Sequence, residues 1–271
     1  MESQTSHFVR EMPWTELDAH IRRNGLAILV SGSVECHGPH LPMGTDTLIA
    51  EAVALGVARQ CDGVIFPPFE YTYSGGTTVF PGTVSIAGQA QQTIARAVLL
   101  KLIHDGYRKI LHIQWHAPYY VSQQLTREIF EETGVPVLFV GMLNMPLMRS
   151  PQMTELIGTE GYTWEAVLAA AALPLLGRTE RLHLEKFPAD VQPEPRPADP
   201  WLNAMAAVGG VVGQYFTHPS QHVPVRRNVD VAAGTRALAL MATTIAEVVG
   251  PLGQYAAACK ARPPSAGPYG A

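Results

Sequence analysis

The chain has 271 residues, of which 47% are hydrophobic and 15% charged, with a formal net charge of −4. A chain this apolar can bury a sizeable core and leave apolar surface for a subunit contact, and without a basic stripe it is not expected to bind nucleic acid. No apolar run looks long enough to span a bilayer. Met1-Glu2-Ser3-Gln4 lacks a signal-peptide core, and the widely spaced Cys36, Cys61 and Cys259 suit a reducing compartment, so a cytoplasmic protein is expected.

Residues 1–12 read as a loose lead. Trp14, Leu17 and Ile21 recur at helical spacing, which predicts a short amphipathic helix from Trp14 to Arg23 that Asn24-Gly25 ends. Leu26-Ala27-Ile28-Leu29-Val30 reads as a buried strand, and 47–59 as a helix. Between them, within twelve residues, stand Glu35, His37, His40 and Asp46. If the chain stays extended past the strand, Glu35 and His37 share one face, because side chains alternate with period two. Cys36 then points away from them and packs. Asp46 precedes the helical pattern, where a carboxylate caps free amides or faces a site. Open α/β sheets bind ligands at the carboxyl ends of their strands, and oxygen and nitrogen donors suit Zn²⁺ or Mn²⁺.

Val64-Ile65-Phe66 is a second short strand ended by Pro67-Pro68. Residues 70–85 are a loop rich in glycine and hydroxyls, in which Ser74 and Thr77 are candidate substrate contacts. Gln89 to Asp105 is a helix with an Ile94, Val98, Leu99, Leu102 and Ile103 stripe, stopped by Gly106. Residues 109–115 form a strand in which His112 reads as structural, and His116 lies just past its end. Beside it, Tyr119 and Tyr120 are candidate pocket walls that cannot both face one way, and Trp115 is expected to pack. A helix over 121–132, closed by Gly134, precedes a strand over 135–140. This alternation predicts a parallel sheet covered by helices.

Residues 141–160 read as an irregular Met-rich loop, over the site or against a neighbouring subunit. A helix runs from Gly161 to Leu173 before Pro174, the proline-rich 185–200 segment is an extended loop, and 201–212 is weakly helical. The last helix is Val231 to Val249.

The run Glu35-x-His37-Gly38-Pro39-His40-Leu41-Pro42-x-Gly44-Thr45-Asp46 resembles the signature of the creatininase (creatinine amidohydrolase) family. Phe80-Pro81-Gly82-Thr83-Val84-Ser85 is similar to a second block, where the family often carries a histidine at the position of Thr77. Where the family usually shows Asn-Gly-His-Gly-Gly-Asn, this chain reads Gln114-Trp115-His116-Ala117-Pro118-Tyr119. Creatininase itself has a glutamate at the place of Pro118. Against the family pattern His-Ala-Gly-Glu-x-Glu-Thr-Ser, Glu165 falls on a metal-binding glutamate and Glu160 on the histidine.

The resemblance covers roughly residues 12–250 and implies one domain over 1–271 with a three-layer α/β/α fold and a mostly parallel central sheet. It also implies two divalent ions, Zn and/or Mn, held by Glu35, His37, Asp46, His116 and Glu165, with Asp46 as the bridge. Three carboxylates against two such ions leave a net charge of +1, which suits a bound hydroxide and an anionic tetrahedral intermediate. The implied activity is hydrolysis of a non-peptide, often cyclic, C–N bond of a small molecule. His116 stands at the reacting centre, and Glu160 is a candidate acid with His183, His218 and His222 as rivals. A lactone, cyclic ketone or peptide-terminus hydrolase and a non-catalytic assembly homologue stay open as alternatives. The implied assembly is a homo-oligomer, a hexamer as in the family, with no membrane partner.

Overall fold

The computed structural model describes residues 6–158, 164–178, 182–183, 199–208, 212–218, 221–222 and 229–259. Four parallel strands make the sheet: β1 (Leu26–Ser31), β2 (Gly63–Ile65), β3 (Lys109–Gln114) and β4 (Val137–Gly141), in the order β2-β1-β3-β4. Leu26 pairs with Gly63 on one side and Lys109 on the other, and the β1–β3 register runs on to Ser31 opposite Gln114.

The helices are α1 (Trp14–Arg22), α2 (Thr45–Cys61), α3 (Gly88–Asp105), α4 (Tyr120–Thr133), α5 (Pro151–Ile157), α6 (Trp164–Leu175), α7 (Asp199–Ala206), α8 (Val231–Ala246) and α9 (Val249–Cys259). Every residue of β1 is buried, as an unbroken apolar run in a central parallel strand requires. Its alternate side chains serve opposite layers. Leu26, Ile28 and Val30, with Leu111, Ile113 and Trp115, pack towards α2, α6 and α8. Ala27, Leu29 and Ile110 pack on Leu99 and Leu102 of α3 and Leu125 and Ile129 of α4. The fold is therefore three-layered, helix on sheet on helix.

Helix α2 packs against β1, α6 and α8 and is buried along most of its length. Glu51 in its middle is fully buried and held by Arg10 at 2.8 Å and Arg178 at 2.5 Å, the pairing that a buried carboxylate needs. The end of β1 lies so close to α2 that a Cβ on Gly32 would sit 2.4 Å from the Thr47 amide nitrogen. Gly106 (φ 113°) and Gly134 (φ 68°) end α3 and α4 in the left-handed region, as the sequence predicts.

Three expectations are corrected. The Met-rich segment is two 3₁₀ turns followed by α5. Met142, Met145, Met148 and Met153 are all buried in the protomer's own core, so they offer no surface to a neighbour. Helix α6 continues through Pro174 to Leu175. The single terminal helix is two, α8 and α9.

Val231–Cys259 is, by length and a mean hydropathy of 1.3, apolar enough to cross a membrane. Here its apolar side is spent on the core: Ala237, Leu238, Met241, Ala242 and Ile245 join the α2–α6 cluster. The proline-rich segment over 185–198 and the chain beyond residue 259 lie outside the described residues.

Candidate metal centre

From β1 the chain turns through α2 to β2 on one side, and from β3 through α4 to β4 on the other. The two connections diverge and leave a crevice at the carboxyl ends of β1 and β3, where open α/β sheets bind ligands. The β1–α2 loop delivers Glu35 and His37 to this crevice, the first turn of α2 delivers Asp46, the β3–α4 turn His116, and the first turn of α6 Glu165.

All five side chains are buried. Their donor atoms form two groups, Glu35/Asp46/His116 and His37/Asp46/Glu165, each with its atoms within 4.8 Å of one another. Asp46 belongs to both. His116 Nδ1 lies 2.8 Å from Asp46 Oδ2 and 3.2 Å from Glu35 Oε1, and His37 Nε2 lies 3.2 Å from Asp46 Oδ1.

A surrounding shell fixes these atoms. His37 Nδ1 donates to the Glu35 carbonyl at 3.0 Å, which turns Nε2 inward. His116 does the reverse: Nε2 donates to the Tyr73 carbonyl at 2.8 Å and Nδ1 faces the carboxylates. Ser33 Oγ donates to Asp46 Oδ2 at 2.7 Å, and Thr77 Oγ1 to Glu35 Oε2 at 2.7 Å. The Gln114 amide donates to the carbonyls of His116 (2.9 Å) and Pro118 (3.3 Å) while accepting from Ser122 Oγ at 3.0 Å, so it clamps the β3–α4 turn.

The charges are mutually dependent. Burial alone would strip the proton from His116, but the Asp46 and Glu35 carboxylates hold its pKa up to about 10. Burial likewise opposes charge on His37, and Asp46 and Glu165 overcome it, leaving its pKa well above the usual value. Burial resists ionisation of Asp46, yet the two imidazoles hold its carboxyl below the ordinary range. Glu165 is pushed up to about 8, first by burial and then by the negative charges of Asp46 and Glu35, against the pull of His37.

The donor set fits divalent metal. Three buried carboxylates share one pocket with two imidazoles whose inward nitrogens are fixed by carbonyls behind them, the arrangement that orients metal-ligating histidines. Glu165 Oε2 is buried with no hydrogen-bond partner among the described residues, and its nearest imidazole nitrogen, His37 Nε2, is 3.9 Å away. A buried carboxyl oxygen without such a partner is available to a cation.

The other sequence candidates fall as follows. Thr77 is buried and faces Glu35, and Ser74 is buried beside it with Oγ unbonded among the described residues. Tyr120 is 59% exposed, whereas the Tyr119 ring packs near Gly141. Trp115 is fully buried in the core. His112 is a structural residue, bonded through Nε2 to Ser31 Oγ at 2.6 Å. Glu160 lies outside the described residues. Of its rivals, His218 is exposed and His183 half-buried, while His222 is brought to the pocket, 3.8 Å from Glu35. The sequence carries weak signals for two of the three residues that fix the ligands: Ser33 stands two residues before Glu35, and Thr77 stands where the family often carries a histidine, while Gln114 carries none.

A family model for creatininase, described as creatinine amidohydrolase, matches residues 10–248. The chain is 30% identical over 117 residues to the creatinine amidohydrolase of Pseudomonas putida, covering 41% of this chain and 45% of that protein. It is 45% identical over 75 residues to a mycofactocin precursor peptide peptidase of Mycolicibacterium smegmatis, 26% and 30% of the two chains. It is 24% identical over 143 residues to a 3-dehydro-scyllo-inosose hydrolase of Thermotoga maritima, 52% and 46%. The matched stretches span less than half the length of each of these relatives.

A creatininase crystal structure superposes with a TM-score of 0.69 at 21% identity, covering 92% of this chain and 98% of that one. A Zn–Zn mutant form (92% and 98%) and a Mn form (91% and 98%) each superpose at 0.63 and 21% identity. At these identities the structures establish the fold.

Proposed function

The chain belongs to the creatininase family, and from that premise we propose that it is a metal-dependent hydrolase that opens a non-peptide, cyclic C–N bond of a small molecule. The observation that carries the reading is the pair of buried donor groups that share Asp46. Glu35, Asp46 and His116 would hold one ion and His37, Asp46 and Glu165 the other. Zn²⁺ and Mn²⁺, the ions of the similar creatininase forms, are the proposed occupants. Such ions supply an acidified water and a Lewis acid for a carbonyl oxygen.

The protein's own part is positional. Ser33 and Thr77 fix the carboxylates of Asp46 and Glu35, the carbonyls behind His37 and His116 fix the rings, and Gln114 fixes the turn that carries His116. Glu160, five residues before Glu165 in the sequence, is the proposed proton donor to the leaving nitrogen. Ser74, Thr77 and Tyr120 border the proposed substrate space, with Tyr119 packed behind it near Gly141. Pro118 and the tyrosine pair put bulk where the family has small residues, so a substrate with a planar or apolar face, rather than creatinine, is proposed.

A second reading, cleavage of a peptide terminus, is favoured by one observation: the stretch similar to the mycofactocin precursor peptide peptidase is 45% identical. A cytoplasmic homo-oligomer, a hexamer, is proposed as the working form. Tyr71, Tyr73 and Val84 support it, standing exposed on two segments joined by the Thr72–Ser85 bridge.

The test is a substrate panel of cyclic amides, lactones and short peptides offered to protein loaded with Zn²⁺ or Mn²⁺. Ring opening of a cyclic amide is expected. Turnover of peptides alone would move the assignment to the second reading, and loaded protein that turns over nothing in the panel would overturn both.

A further inference from the structure

We propose that His222 is an additional metal ligand, carried into the centre by a strap whose described residues are 214–218 and 221–222. The inference rests on the reading of the pocket as a divalent-metal site.

The strap is built against the loop that serves Glu35. Phe216 N donates to the Gly76 carbonyl at 2.9 Å. A Cβ on Gly76 would lie 3.1 Å from the Phe216 ring and 3.2 Å from the Gln214 carbonyl, so the strap packs directly on that glycine. One residue further on, Thr77 holds Glu35. The strap then tightens on itself: the Gln221 side-chain oxygen accepts from the amides of Thr217 (2.8 Å) and His218 (3.2 Å), and Gln221 N donates to the His218 carbonyl at 3.0 Å.

This closed turn sets the next residue. The His222 ring packs on Phe216 with centroids 4.9 Å apart and on His37 at 5.4 Å. Only 9% of His222 is exposed. Its Nε2 stands 3.8 Å from Glu35 Oε1, and Glu35, His37 and His222 form a third donor group with all atoms within 4.8 Å.

Glu35 and His37 belong to different donor groups of the proposed pair, and His222 stands beside both, so its imidazole would add a donor to either. Imidazole and carboxylate together are an ordinary ligand set for zinc or manganese. The position lies more than fifty residues beyond Glu165 and in none of the sequence blocks that carry the family resemblance. It adds a sixth donor residue to a pocket that those blocks supply with five.

The test is titration of the full-length, metal-stripped protein with Co²⁺ alone, read by visible absorption and by competition with a chelator. Wild type, His222→Ala, His222→Gln and, as a control on the strap, His218→Ala are compared. We expect wild type and His218→Ala to bind two equivalents with the same spectrum. Both His222 variants should lose about tenfold or more in affinity for at least one equivalent, a loss at least as large as that of an outer-shell partner, and their d–d bands should shift. The Gln variant keeps a polar side chain of similar reach should the Ala variant fold poorly. If both His222 variants match wild type in spectrum and affinity while wild type takes up two cobalt ions, the ligand assignment falls and the metal centre stands. If wild type binds no cobalt, both fall.

Discussion

Thr77 Oγ1 donates to Glu35 Oε2 at 2.7 Å inside a fully buried pocket. This bond leaves Glu35 Oε1 turned towards His116, 3.2 Å away. Thr77→Val keeps the shape and removes the donor. It should weaken binding of the ion held by Glu35 by about tenfold, the usual effect of losing an outer-shell partner, while Thr77→Ser should bind like wild type. Chelator competition measures both, and equal affinity in the Val variant would remove Thr77 from the ligand shell.

Asp46 is the residue common to the two main donor groups. Asp46→Ala should take the metal content from two equivalents to none, whereas Glu165→Gln or His116→Ala should leave one. Elemental analysis after desalting distinguishes these. An Asp46 variant that keeps one equivalent would show that the two ions do not share it.

Without metal, protons hold the cluster together. His37 and His116 are charged and Glu165 is neutral at pH 7 by the shifts described above. Loading both ions should release about three protons per protomer, because metal ligands bind deprotonated. Calorimetry in buffers of different ionisation enthalpy counts them, and a count near zero would contradict the assignment.

The same shifts fix a pH dependence of stability. His116 binds its proton more tightly in the fold, with a pKa of about 10 against 6.5 for the free group. Glu165 also binds its proton more tightly, at about 8 against 4.5. For each, the stabilisation is complete below the unfolded pKa and is lost as pH rises through the folded one. Metal-stripped protein should therefore melt at progressively lower temperature between about pH 5 and 10, and metal-loaded protein should not follow it. Thermal melts of the two forms across this range test the difference.

Tyr120 and Tyr119 make opposite predictions. Tyr120 is exposed at the start of α4, so Tyr120→Ala should change kcat/KM by about tenfold with metal content and Tm unchanged, a transition-state effect. Tyr119 packs near Gly141, so Tyr119→Ala should cost about 1–2 kcal/mol of stability. Unchanged kcat/KM in Tyr120→Ala and Tyr120→Phe would take Tyr120 out of the substrate site.

What the sequence made legible follows from range. The strand Leu26–Val30 and the helices closed by Gly106 and Gly134 are local patterns of burial and backbone freedom, and they are where the structure has them. The Met-rich segment failed because α5 and its two 3₁₀ turns are too short to show a period; only their burial against α8 reveals that the methionines face inward. The α8–α9 break falls at Glu247 and Val248, four residues or fewer before Pro251, which has no amide to bond Glu247; the apolar pattern runs on across it. Thr77 on Glu35 and His222 beside it are contacts across 42 and 187 residues, and no local pattern encodes them. The ion pairs of Glu51 are equally long-range, with Arg10 and Arg178 41 and 127 residues away.

The sheet that carries the site has a consequence for how the centre opens. Leu26, Ala27, Ile28, Val30, Ile110, Leu111 and Ile113 are each 0% exposed, so the strands leading to Glu35 and His116 should release their amides to deuterium only through global unfolding. The strap that brings His222 is different: residues 212–215, 217 and 218 are solvent-exposed, and the Phe216–Gly76 bond is one of its ties to the neighbouring loop. Exchange there should proceed by local opening, many orders of magnitude faster, and the centre would then be a fixed floor with a hinged wall, so that one face can turn over contents while the other never leaves register.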